Sequence, residues 1–395
     1  MINLIFTTKG FEKAVKHPEL KECDCEISNI GWSLGNACPC NCEQCYSLTV
    51  RNRGMDISEA MVDRVVSQIE KLNVKTVNLG GNEPWYTNGI NGKSILPYIL
   101  RKLKSIGANV GITTAGITLI KLLEEDKEAF DLLNDVDVSL DSPIKEEHDK
   151  NRGASVYDLA IRSLEIAKEH NLERTIIMCA MKWNFTRDRI DELINLAKRY
   201  GANIRFNMLK PVKKEHVDQV VGLDAFYENY SYLLSRCETL DITEPRLNSM
   251  VSSEESKRCP CGRTSLRIHS ITPDGKIPVS PCVYLHDYKA GNLLKDDILD
   301  IIQSEPFKEF RRRNKNPEYI EGCKDCEKIK TCGGGCTASA YLINYLKNDE
   351  RNIYVKEPNC PRDYSKKFAP DYRRSKVQKS LVHMDYLCTW IGKPV

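Results

Sequence analysis

Cysteine spacing constrains this chain more than any other feature of its sequence. Eleven of its 17 cysteines fall into two spaced groups. The first is a C-x3-C-x2-C run formed by Cys38, Cys42 and Cys45 and followed by Tyr46. The second includes a C-x2-C-x5-C-x3-C run, and its members are Cys259, Cys261, Cys282, Cys323, Cys326, Cys332, Cys336 and Cys360. Thiolates are the soft ligands that hold iron–sulfur clusters, so both groups indicate cluster sites.

The number of cysteines in each group bears on how a cubane cluster would be held. A [4Fe-4S] cubane takes four thiolate ligands. The first group supplies three, which leaves one iron without a protein ligand, and the second suffices for two fully ligated clusters. Zinc is the main alternative for residues 323–336, although zinc sites usually pair two C-x2-C units. Disulfides are the other alternative, but disulfide-dense chains are usually small and lack large amphipathic helices.

Length and composition describe a globular protein rather than a nucleic-acid or membrane protein. At 395 residues the chain suggests two domains, and 41% hydrophobic with 29% charged residues is ordinary. The net charge of +3 predicts no nucleic-acid or membrane partner. There is no apolar run near the roughly 20 residues of a membrane span. The first nine residues lack the plan of a secretory signal. We expect a cytoplasmic location, and a reducing one because exposed cubane clusters decay in oxygen.

Residues 29–210 alternate short apolar runs with amphipathic helices. This pattern predicts a parallel sheet with right-handed crossovers, and six units are too few for a closed eight-stranded barrel. We therefore predict an α/β fold, a partial, TIM-like (β/α)6 barrel. Its site should lie at the carboxyl ends of the strands, where the Cys38 loop follows the first one. The predicted strands are Ile30–Asn36, Thr76–Leu79, Val110–Thr114, Val136–Leu140, Thr175–Met181 and Asn203–Leu209.

Local signals predict the remaining elements. Helices are expected to begin at Asp56 and Ser155, a third to span 188–200 before Gly201, and a fourth, 222–238, to lead out of the barrel. Asp274-Gly275 predicts a hairpin. The run Arg311-Arg312-Arg313 is expected on a solvated helix face. The predicted divisions are an N-terminal extension (1–28), the barrel (29–245), a cysteine-rich domain (246–364) and a basic tail (365–395).

The basic tail allows two interpretations. It carries more lysine and arginine than acidic residues. We expect it to be solvated or loosely docked. The alternative is a contact surface for an acidic partner.

Both cysteine groups, in this order on a βα-repeat chain, resemble the radical S-adenosylmethionine superfamily with its SPASM extension. The signature is Cys38, Cys42, Cys45 and the aromatic Tyr46. The residues that match the SPASM pattern, in order, are Cys261, Gly275, Cys282, Cys323, Cys326, Cys332, Cys336 and Cys360. The resemblance covers roughly residues 29–364. It implies that S-adenosylmethionine binds the iron without a protein thiolate and is cleaved to a 5′-deoxyadenosyl radical, which takes a hydrogen atom from a substrate C–H.

The resemblance also implies which residues bind S-adenosylmethionine. The segment Gly80-Gly81-Asn82-Glu83-Pro84 is similar to the family's Gly-Gly-Glu-Pro, with Asn82 as an extra residue. In this segment the glycines allow close approach, and Glu83 is expected to accept the ligand's ammonium. Ser139 and Arg152 are expected to contact its ribose and carboxylate. The full set of expected cofactor-binding residues is Tyr46, Gly80, Gly81, Glu83, Ser139 and Arg152.

The resemblance implies three [4Fe-4S] clusters, one that binds S-adenosylmethionine and two auxiliary clusters. One auxiliary cluster is expected to use Cys323, Cys326, Cys332 and Cys360. The other is expected to use Cys261, Cys282, Cys336 and Cys259. The Cys259–Cys261 spacing is tighter than the family pattern, so two options stay open: full ligation, or an open iron that binds substrate.

Six cysteines receive no ligand assignment: Cys23, Cys25, Cys40, Cys179, Cys237 and Cys388. Cys40 lies inside the signature but misses its spacing, and we interpret it as a bystander. Cys179 lies on the fifth predicted strand, where packing is the ordinary role of a buried cysteine. It is also our one candidate catalytic residue, as a donor of a hydrogen atom to a substrate radical.

The family resemblance leaves the substrate open. Enzymes with a SPASM extension most often modify ribosomally made peptides, so peptide modification is our first hypothesis. The alternatives are a small-molecule dehydrogenase, epimerase or decarboxylase acting on a sugar or amino sugar, and a non-catalytic iron–sulfur or zinc scaffold. Only about 28 residues precede the first strand, so we expect a peptide substrate either to need a separate peptide-recognition protein or to be held by the barrel and tail. A flavodoxin or ferredoxin is the expected electron donor.

Overall fold

One ten-stranded sheet organises the structure, a computed structural model that describes residues 16–35, 37–47, 55–252, 259–376 and 381–395. The six central strands are parallel. They are β1 (Asn29–Leu34), β2 (Thr76–Gly81), β3 (Asn109–Thr114), β4 (Asp135–Ser139), β5 (Glu173–Ala180) and β6 (Asn203–Met208). The others are β7 (Cys237–Ile242), β8 (Ser265–Ile268), β9 (Val279–Ser280) and β10 (Trp390–Pro394).

Helices follow each of the six central strands, as the alternating pattern predicted. They are α1 (Glu59–Glu70), α2 (Leu96–Ser105), α3 (Ile117–Glu125), α4 (Lys127–Phe130), α5 (Lys145–Arg152), α6 (Tyr157–Glu169), α7 (Arg187–Tyr200) and α8 (Leu223–Arg236). The strand order β7-β10-β6-β5-β4-β3-β2-β1-β8-β9 does not close on itself. The predicted partial (β/α)6 barrel is therefore confirmed. All six predicted strands are present with ends shifted by at most two residues, and Asn36 lies outside the described residues.

The two faces of the sheet bury different kinds of residue. On the outer face, alternate positions such as Val77, Ile112 and Val138 are fully buried in the main core with residues of the helices. The inner face is polar, with Asp137 and Arg205 among its buried residues. Because successive strand residues point to opposite faces, this alternation separates the packing face from the face that can carry a site.

Two predicted helix starts are wrong by a few residues. The first helix is capped by Ser58 rather than Asp56, because the Ser58 hydroxyl accepts a 3.3 Å hydrogen bond from the Met61 amide. The sixth helix begins at Tyr157 rather than Ser155. Its N-terminus is capped by a residue of the preceding helix, because Asp149 Oδ1 accepts a 2.8 Å hydrogen bond from the Tyr157 amide. Gly201 ends α7 in the left-handed conformation, as predicted.

The cysteine-rich half joins the barrel through the same sheet. β8 pairs in parallel with β1 and antiparallel with β9, so the sheet crosses the predicted boundary at residue 245. Between β8 and β9, Gly275 has a φ of 74° and donates to the Thr272 carbonyl at 2.9 Å, which confirms the predicted turn. The helices of this half are α9 (Pro245–Val251), α10 (Ile298–Ile301), α11 (Glu305–Lys315), α12 (Ile329–Cys332) and α13 (Thr337–Asn348).

The prediction of a solvated or loosely docked tail is wrong for residues 381–395, which we name the C-terminal segment. Its last residues form β10, which pairs antiparallel with both β6 and β7. The preceding residues lie on the inner face of the barrel. There the Val382 amide donates to Asp135 Oδ2 at 2.6 Å. A methyl group on Gly31 would overlap the Tyr386 ring, so this glycine provides space for the segment.

The arginine run at 311–313 is also buried, contrary to the expected solvated face. Arg311 is 1% exposed and ion-pairs with Glu22 at 2.7 Å. Arg313 is fully buried and donates to the carbonyls of Ile353 and Gly334. Helical periodicity could not reveal these acceptors because they come from distant parts of the chain. None of the described helices is long and apolar enough to span a membrane.

Candidate functional site

The main cavity lies at the carboxyl ends of the barrel strands, where the sequence predicted a site. It encloses about 1160 Å³ including its open mouth. We name it the barrel cavity. Its walls come from the loop after β1, the ends of β2 to β6, the residues after Cys282 and the C-terminal segment. All the predicted cofactor-binding residues line it: Tyr46, Gly80, Gly81, Glu83, Ser139 and Arg152.

The loop that carries Cys38, Cys42 and Cys45, which we name the first cysteine loop, forms one wall of the barrel cavity. The Asn41 amide donates to the Arg152 carbonyl at 2.8 Å, which ties the loop to α5. Arg152 also points Nη1 at Cys42 Sγ, at 3.8 Å. Cys40, expected to be a bystander, is buried with its thiol in contact with those of Cys38 and Cys42. The structure thus brings the three signature thiols to one cavity wall.

The arrangement of donors fits an iron–sulfur cluster better than a single metal ion. Within the described ranges, no group of three or more His, Cys, Asp or Glu side chains could hold one ion. Zinc needs such convergence, because its thiolate bonds are only about 2.3 Å long. Cluster ligands bind separate irons, so their sulfurs stand further apart. The first cysteine loop therefore has the donor chemistry for a cluster that faces the barrel cavity.

Glu83 is held mainly by protein groups. Its Oε1 accepts from the Thr118 amide at 2.8 Å and from the hydroxyls of Thr114 and Thr118. Its Oε2 accepts from the Ala115 amide at 2.9 Å. These donors lie at the end of β3 and the start of α3, where the helix N-terminus favours a negative charge. Glu83 therefore anchors the β2 loop to α3, and only Oε2 retains clear capacity for a ligand's ammonium.

The glycines beside Glu83 differ in what they require. Gly81 has a φ of 102°, and a methyl group there would lie 2.8 Å from Ser33. Gly80 could take a methyl in ordinary contact, at 3.5 Å from Asn78 and Thr113. The additional Asn82 is accommodated because its side-chain amide donates to the Gly35 carbonyl at 2.8 Å. Of these two positions, only that of Gly81 therefore requires a glycine for its backbone conformation.

Asp141 connects three residues that line the barrel cavity, Gln44, Arg152 and Cys179, a role that the sequence analysis missed. It is fully buried and ion-pairs with Arg152 at 2.8 Å between Oδ2 and Nε. Its Oδ2 accepts from Gln44, and its Oδ1 accepts the Cys179 amide at 3.0 Å. Arg152 was expected to bind a ligand carboxylate, but its Nε is engaged with Asp141. The sequence signal that could have identified Asp141 was an acidic residue directly after the predicted fourth strand.

Cys179 lines the barrel cavity from β5. Burial raises the pKa of its thiol well above the ordinary value. A thiol of this kind stays protonated and keeps its S–H hydrogen. The position suits the predicted hydrogen-atom donor, and its catalytic role stays a prediction.

Arg267 lines the barrel cavity and connects three parts of the chain there. It lies on β8, is 2% exposed, and donates to Ser33 Oγ at 2.9 Å and to the Tyr386 hydroxyl at 2.8 Å. Its third contact is the Tyr46 hydroxyl, at 3.3 Å. Tyr46 in turn packs edge-on against Tyr284, with ring centroids 5.3 Å apart. The aromatic residue of the signature is thereby held by the cysteine-rich half and the C-terminal segment.

A second buried charge cluster lies on the inner face of β4 and β6. Arg205 donates to Asp137 Oδ2 at 2.6 Å, and His383 Nδ1 lies 3.3 Å from the same oxygen. Burial raises the pKa of Asp137 to about 6, against the opposing effect of Arg205. Burial also holds the pKa of His383 well below its usual value, so its imidazole is neutral. The sequence analysis overlooked the signal for this cluster, which was the presence of charged residues inside strands predicted to be buried.

The eight cysteines of the second group form two sets, as expected. Cys259, Cys261, Cys282 and Cys336 line one small cavity, together with Cys388 from the C-terminal segment. The other four influence one another's pKa, which places their thiols close together: Cys323, Cys326, Cys332 and Cys360. Burial raises the pKa of Cys323 to about 11 and that of Cys332 to about 12. These thiols would release protons on binding metal.

A buried ion-pair cluster supports Cys336. Arg246 is 1% exposed and binds Glu244 through two hydrogen bonds, of 2.7 and 2.8 Å. It also donates to Glu357 Oε1 at 2.8 Å, and Glu357 Oε2 accepts the Cys336 amide at 3.0 Å. Because every charge in this cluster has a partner, the backbone at Cys336 is fixed by polar contacts that would be costly to break.

Known proteins share both halves of this organisation. Residues 32–197 match the model of the Radical SAM superfamily, and residues 259–327 match that of the SPASM iron–sulfur cluster-binding domain. Together the two ranges cover more than half of the chain. Mycofactocin maturase MftC from Mycolicibacterium smegmatis is 24% identical over 331 residues, which cover 79% of this chain and 79% of that protein.

Solved structures share the fold at lower identity. SuiB from Streptococcus suis, solved with S-adenosylmethionine bound, has a TM-score of 0.59 and 17% identity over 85% of this chain and 77% of its own. The protein anSMEcpe, solved with bound AdoMet, has a TM-score of 0.57 and 17% identity over 82% and 94% of the two chains. At these identities the matches establish the fold alone.

Proposed function

Since the chain is a radical S-adenosylmethionine enzyme with a SPASM iron–sulfur domain, we propose that it modifies a ribosomally made peptide at a carbon–hydrogen bond. The observation that carries this proposal is a single cavity between the two cysteine groups. The first cysteine loop lines one side, and Val283 and Tyr284, directly after Cys282, line another. A substrate in this cavity would lie between the two cluster sites.

A cluster on the first cysteine loop supplies, when bound, the electron that cleaves S-adenosylmethionine to a 5′-deoxyadenosyl radical. The chain's own residues position the reactants. Gly81 lets a ligand approach the backbone of the β2 loop, and Oε2 of Glu83 can accept an ammonium. Ser139 offers a hydroxyl at the end of β4. Tyr386 and Leu387 line the cavity from the C-terminal segment and keep water from that side.

His383 can contact a substrate in the barrel cavity. It lines the cavity and its imidazole is neutral, so it can form a hydrogen bond with a substrate group. Its other contacts are Asp137 and, at 3.3 Å from Nε2, the Thr113 hydroxyl. Asp137 would favour a proton on this imidazole, whereas burial and the charges of Arg205 and Arg267 disfavour it. We therefore assign His383 a role in holding a substrate group by a hydrogen bond.

Relatives support a peptide as the substrate. The protein that is 24% identical is named a maturase, and SuiB has also been solved with its precursor peptide SuiA. In this proposal the chain holds three [4Fe-4S] clusters and receives electrons from a flavodoxin or ferredoxin. A separate protein delivers the peptide. Thiolate-bound iron requires a reducing compartment, for which we propose the cytoplasm.

The test is transfer of deuterium from substrate to 5′-deoxyadenosine. The anaerobically reconstituted enzyme, S-adenosylmethionine and reductant are mixed with deuterated peptides encoded by short reading frames beside the gene. We expect deuterium in 5′-deoxyadenosine and a mass change in one peptide. The control variant Cys42→Ala should release no 5′-deoxyadenosine while retaining the iron of the auxiliary clusters. Deuterium transfer from amino sugars but from no peptide would overturn the peptide assignment.

A further inference from the structure

Cys388 belongs to the auxiliary cysteine set that contains Cys336, although its position in the sequence gave no sign of this. Its thiol is within hydrogen-bonding reach of the thiols of Cys259 and Cys336. The Cys261 thiol contacts those of Cys259 and Cys282 in the same way. Five cysteines therefore line one cavity, which we name the auxiliary cavity. A cubane cluster takes four thiolates.

The position of Cys388 is set by the sheet. On its N-terminal side, the Leu387 carbonyl accepts a 2.6 Å hydrogen bond from the Thr243 hydroxyl. On its C-terminal side, the Thr389 hydroxyl donates to the Phe206 carbonyl at 2.8 Å. Trp390 then begins β10 and pairs with Phe206. Cys388 is thus presented to the auxiliary cavity by the barrel itself, as a rigid ligand would be.

A buried ammonium that borders both the auxiliary cavity and the barrel cavity lacks a hydrogen-bond partner among the described residues. Lys210 is 5% exposed, its Nζ has no hydrogen-bond partner among the described residues, and it lines this cavity beside Cys336. A buried ammonium without a partner costs several kcal/mol. Four thiolates around a cubane carry negative charge and accept hydrogen bonds at sulfur, so a bound cluster would give Lys210 its partner.

Spacing makes Cys259 and Cys261 alternatives to one another as ligands. Cys259 and Cys261 are separated by one residue, whereas neighbouring ligands in the other two predicted sets, such as Cys42 and Cys45, are separated by at least two. Cys259 also lies between the others, in contact with both Cys261 and Cys388. Two residues so close in the chain are poorly placed to reach separate irons, whereas Cys388 approaches from a different strand.

We propose that Cys388 is a ligand of the auxiliary cluster together with Cys261, Cys282 and Cys336, and that Cys259 is dispensable for ligation. The inference rests on the iron–sulfur domain and not on the peptide substrate. It also assigns a role to the C-terminal segment. Because His383 and Tyr386 of this segment line the barrel cavity, a cluster bound at Cys388 would hold them in place there.

The test compares Cys388→Ser, Cys259→Ser and the buried control Cys237→Ser after anaerobic reconstitution. Iron and sulfide are counted, and the reduced proteins are examined by electron paramagnetic resonance. We expect about twelve irons for three cubanes in the control and in Cys259→Ser. In Cys388→Ser we expect a loss of up to about a third, with one signal lost or altered. Melting of the metal-free proteins shows that each variant folds.

Hydrogen exchange supplies a second readout. In the cluster-loaded protein, the amides of residues 381–388 should exchange slowly, and they should exchange faster in Cys388→Ser but not in Cys259→Ser. Full iron content and an unchanged spectrum in Cys388→Ser would overturn the proposal. Loss of iron in both serine variants would overturn the assignment of Cys259 as dispensable. Failure of the peptide assay leaves these readouts unaffected.

Discussion

Replacing Glu83 with alanine tests whether this residue is chiefly an anchor or a ligand. In the structure its carboxylate accepts the amides of Ala115 and Thr118 and two threonine hydroxyls. A hydroxyl can rotate to another acceptor, but a buried amide cannot. Thr118 keeps a second acceptor, Thr114 Oγ1 at 3.2 Å, so Ala115 is the amide left without a partner.

The expected cost follows from these contacts. One buried amide without a partner costs about 1–3 kcal/mol, and the lost charge at the N-terminus of α3 adds about 0.3–2 kcal/mol. We expect Glu83→Ala to lower the unfolding free energy by about 3 kcal/mol. At about 2.1 cal/mol/K per residue, the unfolding entropy of a 395-residue chain is about 0.8 kcal/mol/K, so this corresponds to a melting temperature lower by about 4 °C. The loss should appear without S-adenosylmethionine, because it arises from the protein alone.

The assay is thermal unfolding of the cluster-loaded protein under anaerobic conditions, with and without S-adenosylmethionine. Glu124→Ala is the matched control, since Glu124 lies on the same helix and is exposed, and its loss should change stability by less than about 0.5 kcal/mol. The anchoring role is refuted if Glu83→Ala melts with the wild type in the absence of ligand and loses only affinity for S-adenosylmethionine.

Three further predictions address other parts of the structure. Arg246→Met leaves two buried glutamates without their cation, so we expect a loss of about 3–5 kcal/mol in thermal or denaturant unfolding and a lower iron content after reconstitution. Burial, reinforced by a nearby arginine, lowers the pKa of His148 to about 4. Its stabilising contribution is therefore complete above the unfolded pKa of about 6.5 and is lost as pH falls towards 4, by roughly 1 kcal/mol between pH 7.5 and 5.5. His148→Asn should lack this part of the pH dependence in melting experiments, and an unchanged slope would contradict the assignment. Gly81→Ala should cost about 1–3 kcal/mol in unfolding free energy and reduce release of 5′-deoxyadenosine, whereas Gly80→Ala should unfold close to the wild type.

The sequence alone predicted the features that depend on neighbours in the chain. The six strands and their helices follow from local patterns of apolar residues, and the order of the central strands follows from the short right-handed connections between them. The first cysteine loop could be located because its three thiols are close in the chain. Its position at the carboxyl end of β1 then placed the site.

Other features required the tertiary structure, because they depend on residues far apart in the chain. Nothing near Cys388 indicates that β10 would insert between β6 and β7 and bring this thiol to Cys336. The partners of Glu83 lie about thirty residues away, and those of Arg313 are carbonyls with no residue-type signature. Local sequence thus determined the elements and the first cysteine loop. Long-range packing decided which buried charges are paired and which thiols meet.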